Sequence, residues 1–359
     1  MSHSSLAPNS IIGILGDGQL GRMMALAAAQ LGYGVHVFGQ VVDSPAAQVA
    51  RANTIARYDD KTALAKFANA VDTVTLEFEN VPVETIKFLS HHVPVHPSAE
   101  ALATTQDRRL EKIFLKNAGF AVADFAFIAS VDDLKSATER IGPNGILKTT
   151  RFGYDGKGQV RIKTTDDLNP AFAAVNGAPA IYEAFVPFER EISVVVARGQ
   201  DGTVAPFDVS DNVHRNHILH TASVPSTLAP TIAGRAKEMA SVIANRLKYV
   251  GVMAVEFFVL QDGALLVNEI APRPHNSGHW TMNACAHDQF SQAIRAVAGL
   301  TISPTVRHSD VVMTNLIGDA VNSAHHLARN GNVALHLYGK SEIKPGRKMG
   351  HYNTISARC

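Results

Sequence analysis

Two Asp-Gly pairs, Asp201-Gly202 and Asp262-Gly263, each lie between β-rich runs, which is the strongest short-range signal for a tight β-hairpin. The second pair constrains the fold most. It separates the apolar run 252–260, which carries Glu256, from the run 264–270, which ends on Asn268-Glu269-Ile270. A turn at residues 262–263 sets the two carboxylates roughly opposite each other on adjacent strands, where like charges repel. A divalent cation resolves the conflict, because Mg2+ takes carboxylate oxygens plus substrate phosphates in an octahedral shell. The bland alternative is one exposed face carrying both acids; the apolar neighbours argue against it.

The opening third follows another pattern. Residues 11–15 form a short apolar strand, followed by a glycine turn and an Ala-rich helix over 19–31. Strand character returns at 33–38 and 72–76, with a helix over 61–70 before the last. This alternation predicts a parallel, doubly wound sheet. Residues 99–117 read as one helix, which places the first domain boundary near 98–106. The middle mixes strands at 144–150, 181–183 and 191–197 with helices over 230–248 and around 281–298, and the hairpins predict antiparallel α+β. Past Pro304 come a strand at 311–316, a helix over 320–329, a strand at 333–337 and a basic run at 344–348.

A chain of 359 residues is too long for one core and suggests two or three domains. Hydrophobic residues at 46% and charged residues at 18% exclude disorder and coiled coil. Lys+Arg 33 against Asp+Glu 32 gives a net charge of +1, so neither nucleic acid nor an anionic membrane is attracted in bulk. Two distant cysteines, Cys285 and Cys359, do not make a secreted disulfide framework. The first ten residues do not read as a signal peptide, and the apolar stretch 23–31 is too short to span a bilayer. A soluble cytoplasmic protein is expected.

Four clusters can carry chemistry. Gly16-Asp17-Gly18-Gln19-Leu20-Gly21 has the spacing G-x-G-x-x-G between a strand and a helix, where free N–H groups meet phosphate. A nicotinamide site also needs an acid at the end of the second strand, and Gly39-Gln40 stand there. A monophosphate site is preferred, with a plain tight turn as the alternative. Lys148 sits in an apolar strand before the loop Arg151-Phe152-Gly153-Tyr154-Asp155-Gly156-Lys157-Gly158. A buried lysine needs a counter-anion, which a nucleotide phosphate would supply, and the loop would close over it; a solvated hairpin tip is the alternative. Residues 271–280, Ala-Pro-Arg-Pro-His-Asn-Ser-Gly-His-Trp, are donor-rich and suit a ligand loop, with Arg273 able to fork onto phosphate or carboxylate. Lys340, Arg347 and Lys348 form a late basic cluster or a solvated face. His214, His217 and His220 fall in a β-rich stretch whose period of two puts the middle one on the opposite face, which argues against a transition metal.

In chain order, GDGQLGR at 16–22, EFENVP at 77–82, KTTRFGYDGKGQ at 148–159, NEIAPRPHNSGHW at 268–280 and KPGRKMGH at 344–351 resemble the N5-carboxyaminoimidazole ribonucleotide synthetase family, ATP-grasp ligases of bacterial and fungal purine synthesis. The resemblance runs from about residue 11 to residue 351. It implies an N-terminal doubly wound domain over 1–103, an ATP-grasp domain over 104–303 with a glycine-rich lid subdomain at about 124–186, and a small C-terminal domain over 304–359. It also implies carboxylation without biotin. Bicarbonate attacks the γ-phosphate of ATP to give carboxyphosphate, and 5-aminoimidazole ribonucleotide captures it or the CO2 released from it. The product would pass to the N5-carboxyaminoimidazole ribonucleotide mutase, and a homodimer is implied.

By resemblance, ATP contacts fall on Arg108, Lys148, Gly153, Tyr154, Asp155, Gly156, Lys157, Gly158, Gln159, Glu183, Ala184, Phe185, Val186, Glu191, which would hold the ribose hydroxyls, His214 and Asn268. Glu256 and Glu269 match the Mg2+ ligands. Ribonucleotide contacts fall on Gly18, Gln19, Leu20, Glu77, Tyr154, Asp155, Arg273, His275, Asn276, Ser277, Lys340, Arg347 and Lys348, with the first glycine turn near the phosphate. Asp155, Lys157 and Arg273 are the expected catalytic residues, Asp155 accepting the amine's proton. Two departures stand out. Asp17 replaces a glycine, and the chain stops soon after His351, where members continue through a closing strand and helix. Competing readings are another carboxylate–amine ligase of the same superfamily using formate or an amino acid, and a non-catalytic ATP sensor.

Overall fold

The computed structural model describes residues 5–153 and 157–358. Among them, three sheets carry the architecture. The first is parallel, ordered β3-β2-β1-β4, from β1 (Ile11–Leu15), β2 (Gly34–Gly39), β3 (Ala52–Ile55) and β4 (Thr73–Leu76). Helix α1 (Gln19–Gln30) buries Leu20, Met23, Met24, Ala27 and Ala28, an apolar stripe at helical spacing. Helices α2 (Lys61–Ala68) and α3 (Val83–Ser90) complete the winding. The sequence pattern missed β3 and α3, both short and polar on one side.

The helix expected over 99–117 is two helices, α4 (Ala99–Gln106) and α5 (Arg108–Asn117). Asp107 separates them in an extended conformation, and its carboxylate accepts from the N–H groups of Arg109 and Leu110. An aspartate that caps the second helix in this way ends the first. The second sheet is antiparallel, ordered β5-β8-β6-β7, from β5 (Phe125–Ile128), β6 (Gly145–Thr149), β7 (Gln159–Ile162) and β8 (Ala180–Ala184). With α6 (Val131–Ile141) and α7 (Leu168–Ala174) it encloses a small core around Leu134, Leu147, Leu168 and Tyr182.

The third sheet is antiparallel and largest. Its path is β14-β13-β9-β11-β12-β15-β17-β16, with β10 paired to β9. The strands are β9 (Arg190–Arg198), β10 (Val204–Pro206), β11 (Ser210–Arg215), β12 (Ile218–Val224), β13 (Gly251–Val259), β14 (Leu265–Ala271), β15 (Ser309–Ile317), β16 (Val333–Leu337) and β17 (Lys348–Ala357). Both Asp-Gly pairs turn as expected, between β9 and β10 and between β13 and β14. Helix α8 (Pro230–Arg246) covers one face, against Val194, Val196, Met253 and Val255. The helix expected around 281–298 is α9 (Thr281–Ala284), then α10 (Gln289–Val297) capped by Asp288. Helix α10 shares the opposite face with α1, against Val195, Ala197 and Ala254. Burial on both faces explains the continuous apolar runs. By strand alternation Ser193 and Glu256 project on the α10 side.

The tail does not form a separate sheet. Its strands β15, β17 and β16 extend the third sheet, and β17 supplies the closing strand that the sequence reading put in question. In place of the helix expected over 320–329 stand a 3-10 stretch, Gly318–Ser323, and the short α11 (Ala324–Leu327).

Candidate active site

Glu256 on β13 and Glu269 on β14 are directly paired in the strand register. The register shifts immediately beyond them, because Phe257 pairs with Val267 and leaves Asn268 as an extra residue. Such a bulge re-aims the side chains around it, and here it lies beside the acid pair. Burial, and then the charge of Glu269, pushes the Glu256 carboxyl well above the usual carboxylate range. The Nε2 of His275 lies 3.6 Å from Glu256 Oε1, and Arg108 Nη2 lies 3.6 Å from Glu269 Oε2. Two facing carboxylates and an amide are hard oxygen donors of the kind Mg2+ prefers. The repulsion that a cation would relieve is already present in the fold.

Lys148 lies on β6, with Nζ 2.8 Å from Glu183 Oε2 on β8. The counter-anion expected from a nucleotide is therefore supplied first by the protein. The other oxygen of Glu183 lies 3.6 Å from Nζ of the buried Lys112 on α5. Burial alone would raise the Glu183 carboxyl, but Lys112, Lys148 and Arg108 hold it down at about 2. Two ammonium groups around one carboxylate leave positive charge unspent, which suits an arriving polyphosphate. The glycine loop follows at once. Gly158 has φ +70°, and a Cβ there would lie 2.7 Å from Thr149 Oγ1, so glycine is required. Gly153 packs beside Arg108, Gln159 pairs with Lys148, and Lys157 is exposed. Tyr154, Asp155 and Gly156 lie outside the described residues.

From Glu183 the chain runs through Ala184, Phe185 and Val186 toward β9. The Arg161 guanidinium sits 3.4 Å from the Phe185 ring centroid, and Phe188 stacks on Phe258 at 4.6 Å. Glu191 on β9 contacts the His214 imidazole. Burial alone would lower that histidine, but the Glu191 carboxylate outweighs it and raises it. His217 lies in the turn between β11 and β12, and His220 on β12, so the three histidines do not share one strand.

The first glycine turn is closed by a residue of the same chain. Glu77 follows β4, and its Oε1 and Oε2 accept from the N–H groups of Gly18 at 2.6 Å and Gly21 at 2.8 Å. A Cβ on Gly16, which has φ +106°, would fall 2.3 Å from Glu77 Cγ. The Glu77 carboxylate thus takes up two of the N–H groups that the glycine spacing offered to a substrate phosphate. Leu20 is buried in the α1 packing face, so it offers a ligand only its backbone, whereas Gln19 is half-buried. Asp17 turns away from this end; its Oδ2 accepts from the N–H groups of Gln40 and Val41 at 2.8 and 2.9 Å.

Arg273 forks onto Glu79, with Nη2 3.1 Å from Oε1 and Nε on Oε2. Burial would raise the Glu79 carboxyl; Arg273 outweighs it and holds it below the usual range. His275 accepts at Nδ1 from the Ser277 hydroxyl at 2.8 Å, and Ser277 accepts from Ser193 at 2.6 Å. Burial, then Arg273, lowers His275 well below its usual value. Ser277 is fully buried and stands behind His275. Both amide atoms of Asn276 are buried without a hydrogen-bond partner, an arrangement that favours a ligand. Lys340 Nζ donates to Lys348 O at 2.7 Å, and Arg347 to Glu342 O at 2.9 Å. The Lys348 charge is felt at both His214 and His275, which brings this cluster to the site.

Sequence reasoning missed Glu79, Glu111, Lys112, Phe188, Phe258 and Gln289. Gln289 ties the ligand loop: it accepts from His275 N–H at 2.8 Å and donates to His275 O at 2.8 Å and His279 Nδ1 at 2.9 Å. Glu111 and Lys112 share one helix face with Arg108, but on so charged a helix that spacing reads as ordinary surface.

Residues 10–106 match the ribonucleotide synthetase preATP-grasp domain, 113–290 the ATP-grasp domain, and 311–358 the phosphoribosylaminoimidazole carboxylase C-terminal domain. The N5-carboxyaminoimidazole ribonucleotide synthase of Brucella melitensis is 50% identical over 360 residues, spanning 100% of this chain and 99% of that protein. The chain belongs to the N5-carboxyaminoimidazole ribonucleotide synthase family. The family's Bacillus subtilis member is 42% identical across 98% of this chain and 93% of its own. An ADP complex of an N5-carboxyaminoimidazole ribonucleotide synthetase superposes with a TM-score of 0.95 at 41% identity, covering 98% of this chain and 94% of that one. The Aspergillus clavatus enzyme in complex with ADP and 5-aminoimidazole ribonucleotide gives 0.91 at 29%, covering 97% and 94%. The fold is that of an ATP-grasp ligase of this family, and ATP is its nucleotide.

Proposed function

We propose that this chain carboxylates 5-aminoimidazole ribonucleotide to N5-carboxyaminoimidazole ribonucleotide, using ATP and bicarbonate, in purine synthesis. Membership of the family carries the reaction. The observation that carries the site is the in-register pair Glu256–Glu269 on a strand edge that Lys112 joins, through Glu183, to Lys148. Glu256 and Glu269, with Asn268 beside them, would hold Mg2+, which neutralises phosphate charge during phosphoryl transfer. Lys148, Arg108 and the loop from Gly153 to Gln159 would grip the phosphates. Phe185, Val186, Glu191 and His214 would hold the nucleoside end.

Bicarbonate oxygen displaces ADP from the γ-phosphorus, giving carboxyphosphate. The amine then attacks the carboxyl carbon, or CO2 released from it, expelling inorganic phosphate and shedding one proton. Carboxyphosphate is destroyed by water, so a closing loop is a requirement of the chemistry. Asp155 would take the amine's proton. Arg273, held rigid by Glu79, and the neutral imidazole of His275 would orient the bicarbonate-derived group and the amine. Glu77, Gln19, Asn276, Lys340, Arg347 and Lys348 would bind the ribonucleotide. Because Glu77 already fills the glycine turn, the late basic cluster is the better match for the phosphate.

Domain limits at 103/104 and 303/304 remain our reading; the first lies three residues inside the matched span 10–106 and the second between the spans 113–290 and 311–358. Exposed Val41, Val42 and Ile55 near one edge of the first sheet suit a homodimer contact. No helix among the described residues is long and apolar enough to cross a membrane, and a cytoplasmic enzyme feeding a mutase is the reading we adopt. The test is turnover of purified protein with each component omitted in turn. An acid-labile carbamate should form only with ATP, Mg2+, bicarbonate and aminoimidazole ribonucleotide together; no carbamate from the complete mixture, or an N-formyl product with formate replacing bicarbonate, would defeat the proposal.

A further inference from the structure

Strand β14 carries Asn268 and Glu269 and is the last strand of the largest sheet. Among the described residues, one edge of it therefore has no neighbouring strand, and its backbone groups need other partners. Helix α5 and the loop behind it supply them. Lys112 Nζ donates to Asn268 O at 2.8 Å, the Ile270 N–H donates to Glu111 Oε2 at 3.3 Å, and the Val267 N–H donates to Ala121 O at 2.9 Å. Arg108 from the same helix face reaches Glu269 itself at 3.6 Å. Residues 108, 111 and 112 stand at i, i+3 and i+4, which align on one face. A helix face thus replaces the missing strand at the bulge that aims Asn268 and Glu269.

Lys112 does more than close this edge. Its ammonium group, 2% exposed, also lies 3.6 Å from Glu183, whose second oxygen takes Lys148 at 2.8 Å. One side chain is therefore shared between the carboxylate edge of the third sheet and the lysine of the second. We propose that Lys112 is a positioning residue that fixes the distance between the metal-holding edge, Asn268-Glu269, and the phosphate-gripping Lys148. The inference rests on the metal and nucleotide roles given above. Lys112 touches neither ATP nor the metal in this scheme; it acts through Asn268 and Glu183.

The test compares wild type, Glu269→Gln and Lys112→Met in steady-state turnover, varying Mg2+, ATP and aminoimidazole ribonucleotide separately. Methionine keeps most of the stem and removes the donor. Lys112→Met should raise KM for ATP and the Mg2+ concentration for half-maximal rate about tenfold or more. KM for the ribonucleotide should move less than about twofold. A merely structural role lowers the active fraction, and so the apparent kcat, while leaving all three constants alone, and that pattern overturns the proposal. Glu269→Gln separates the two readings: if it leaves the Mg2+ requirement unchanged, the metal assignment is what fails. If Lys112→Met does not fold, Lys112→Gln, with a shorter donor, must show the same selective rise in the ATP and Mg2+ constants, and its absence overturns the inference.

Discussion

Glu111 offers a sharp physical test, because the fold keeps it against its own electrostatic interest. It is fully enclosed on α5, and burial, added to the nearby charge of Glu269, lifts its carboxyl to about 8 although Lys112 and Arg108 pull the other way. A carboxylic acid whose folded value is raised binds a proton that the unfolded chain has released, so stability falls as pH climbs from the ordinary value toward 8. Taking about 1.4 kcal/mol per unit, the penalty is on the order of 1 kcal/mol at pH 5, about 3 at pH 7 and about 5 above pH 8. Glu111→Gln keeps an oxygen to accept the Ile270 N–H and removes the titration. The variant should therefore melt higher than wild type by roughly 5–10 °C at pH 7, with the gap widening at pH 8 and nearly closing at pH 5. Scanning calorimetry of metal-free protein across that range measures it. A variant that melts lower at every pH, or a gap that ignores pH, would mean that the fold does not hold Glu111 protonated.

Two other outcomes follow from the same geometry. Since Glu256 sits above the usual carboxylate range, it is largely protonated at pH 7, and filling the site with Mg2+-ADP should expel close to one proton more than in Glu256→Gln. Calorimetry in buffers of different ionisation enthalpy reads this, and equal release by both proteins would contradict it. Asp155→Asn should lose carboxylation while Mg2+-ADP binds with unchanged affinity; retained turnover would remove Asp155 from the mechanism.

Much of this site was legible because its chemistry imposes local patterns. The Asp262-Gly263 turn marks a hairpin that brings Glu256 up to Asn268-Glu269, and the bulge at Asn268, which no local pattern announces, then sets Glu256 directly against Glu269. Lys148 in an apolar strand announced a buried charge, though not that Glu183 would share it with Lys112. That third partner comes from a helix 36 positions upstream in the sequence, and its spacing on a charged amphipathic helix looks like ordinary surface. Glu77 was legible as a site residue but not as the cap of α1, because the contact joins positions 77 and 18. Strand β3 escaped notice because it is a short edge strand with exposed ends. The last strand of the tail is hidden for a similar reason: the β17 residues pair with β15 and β16 across long separations, and only the assembled sheet shows that they continue it.

The function proposed for this chain requires one pocket that joins the Glu256–Glu269 pair to Lys148 and Glu183 around the phosphates of ATP. A crystal structure of this protein with Mg2+ and ADP tests it most directly. Metal density should lie between Glu256 and Glu269, with a diphosphate within hydrogen-bond reach of Lys148. Nucleotide bound elsewhere, or phosphates resting on the Gly16–Gly21 turn in place of Glu77, would contradict it.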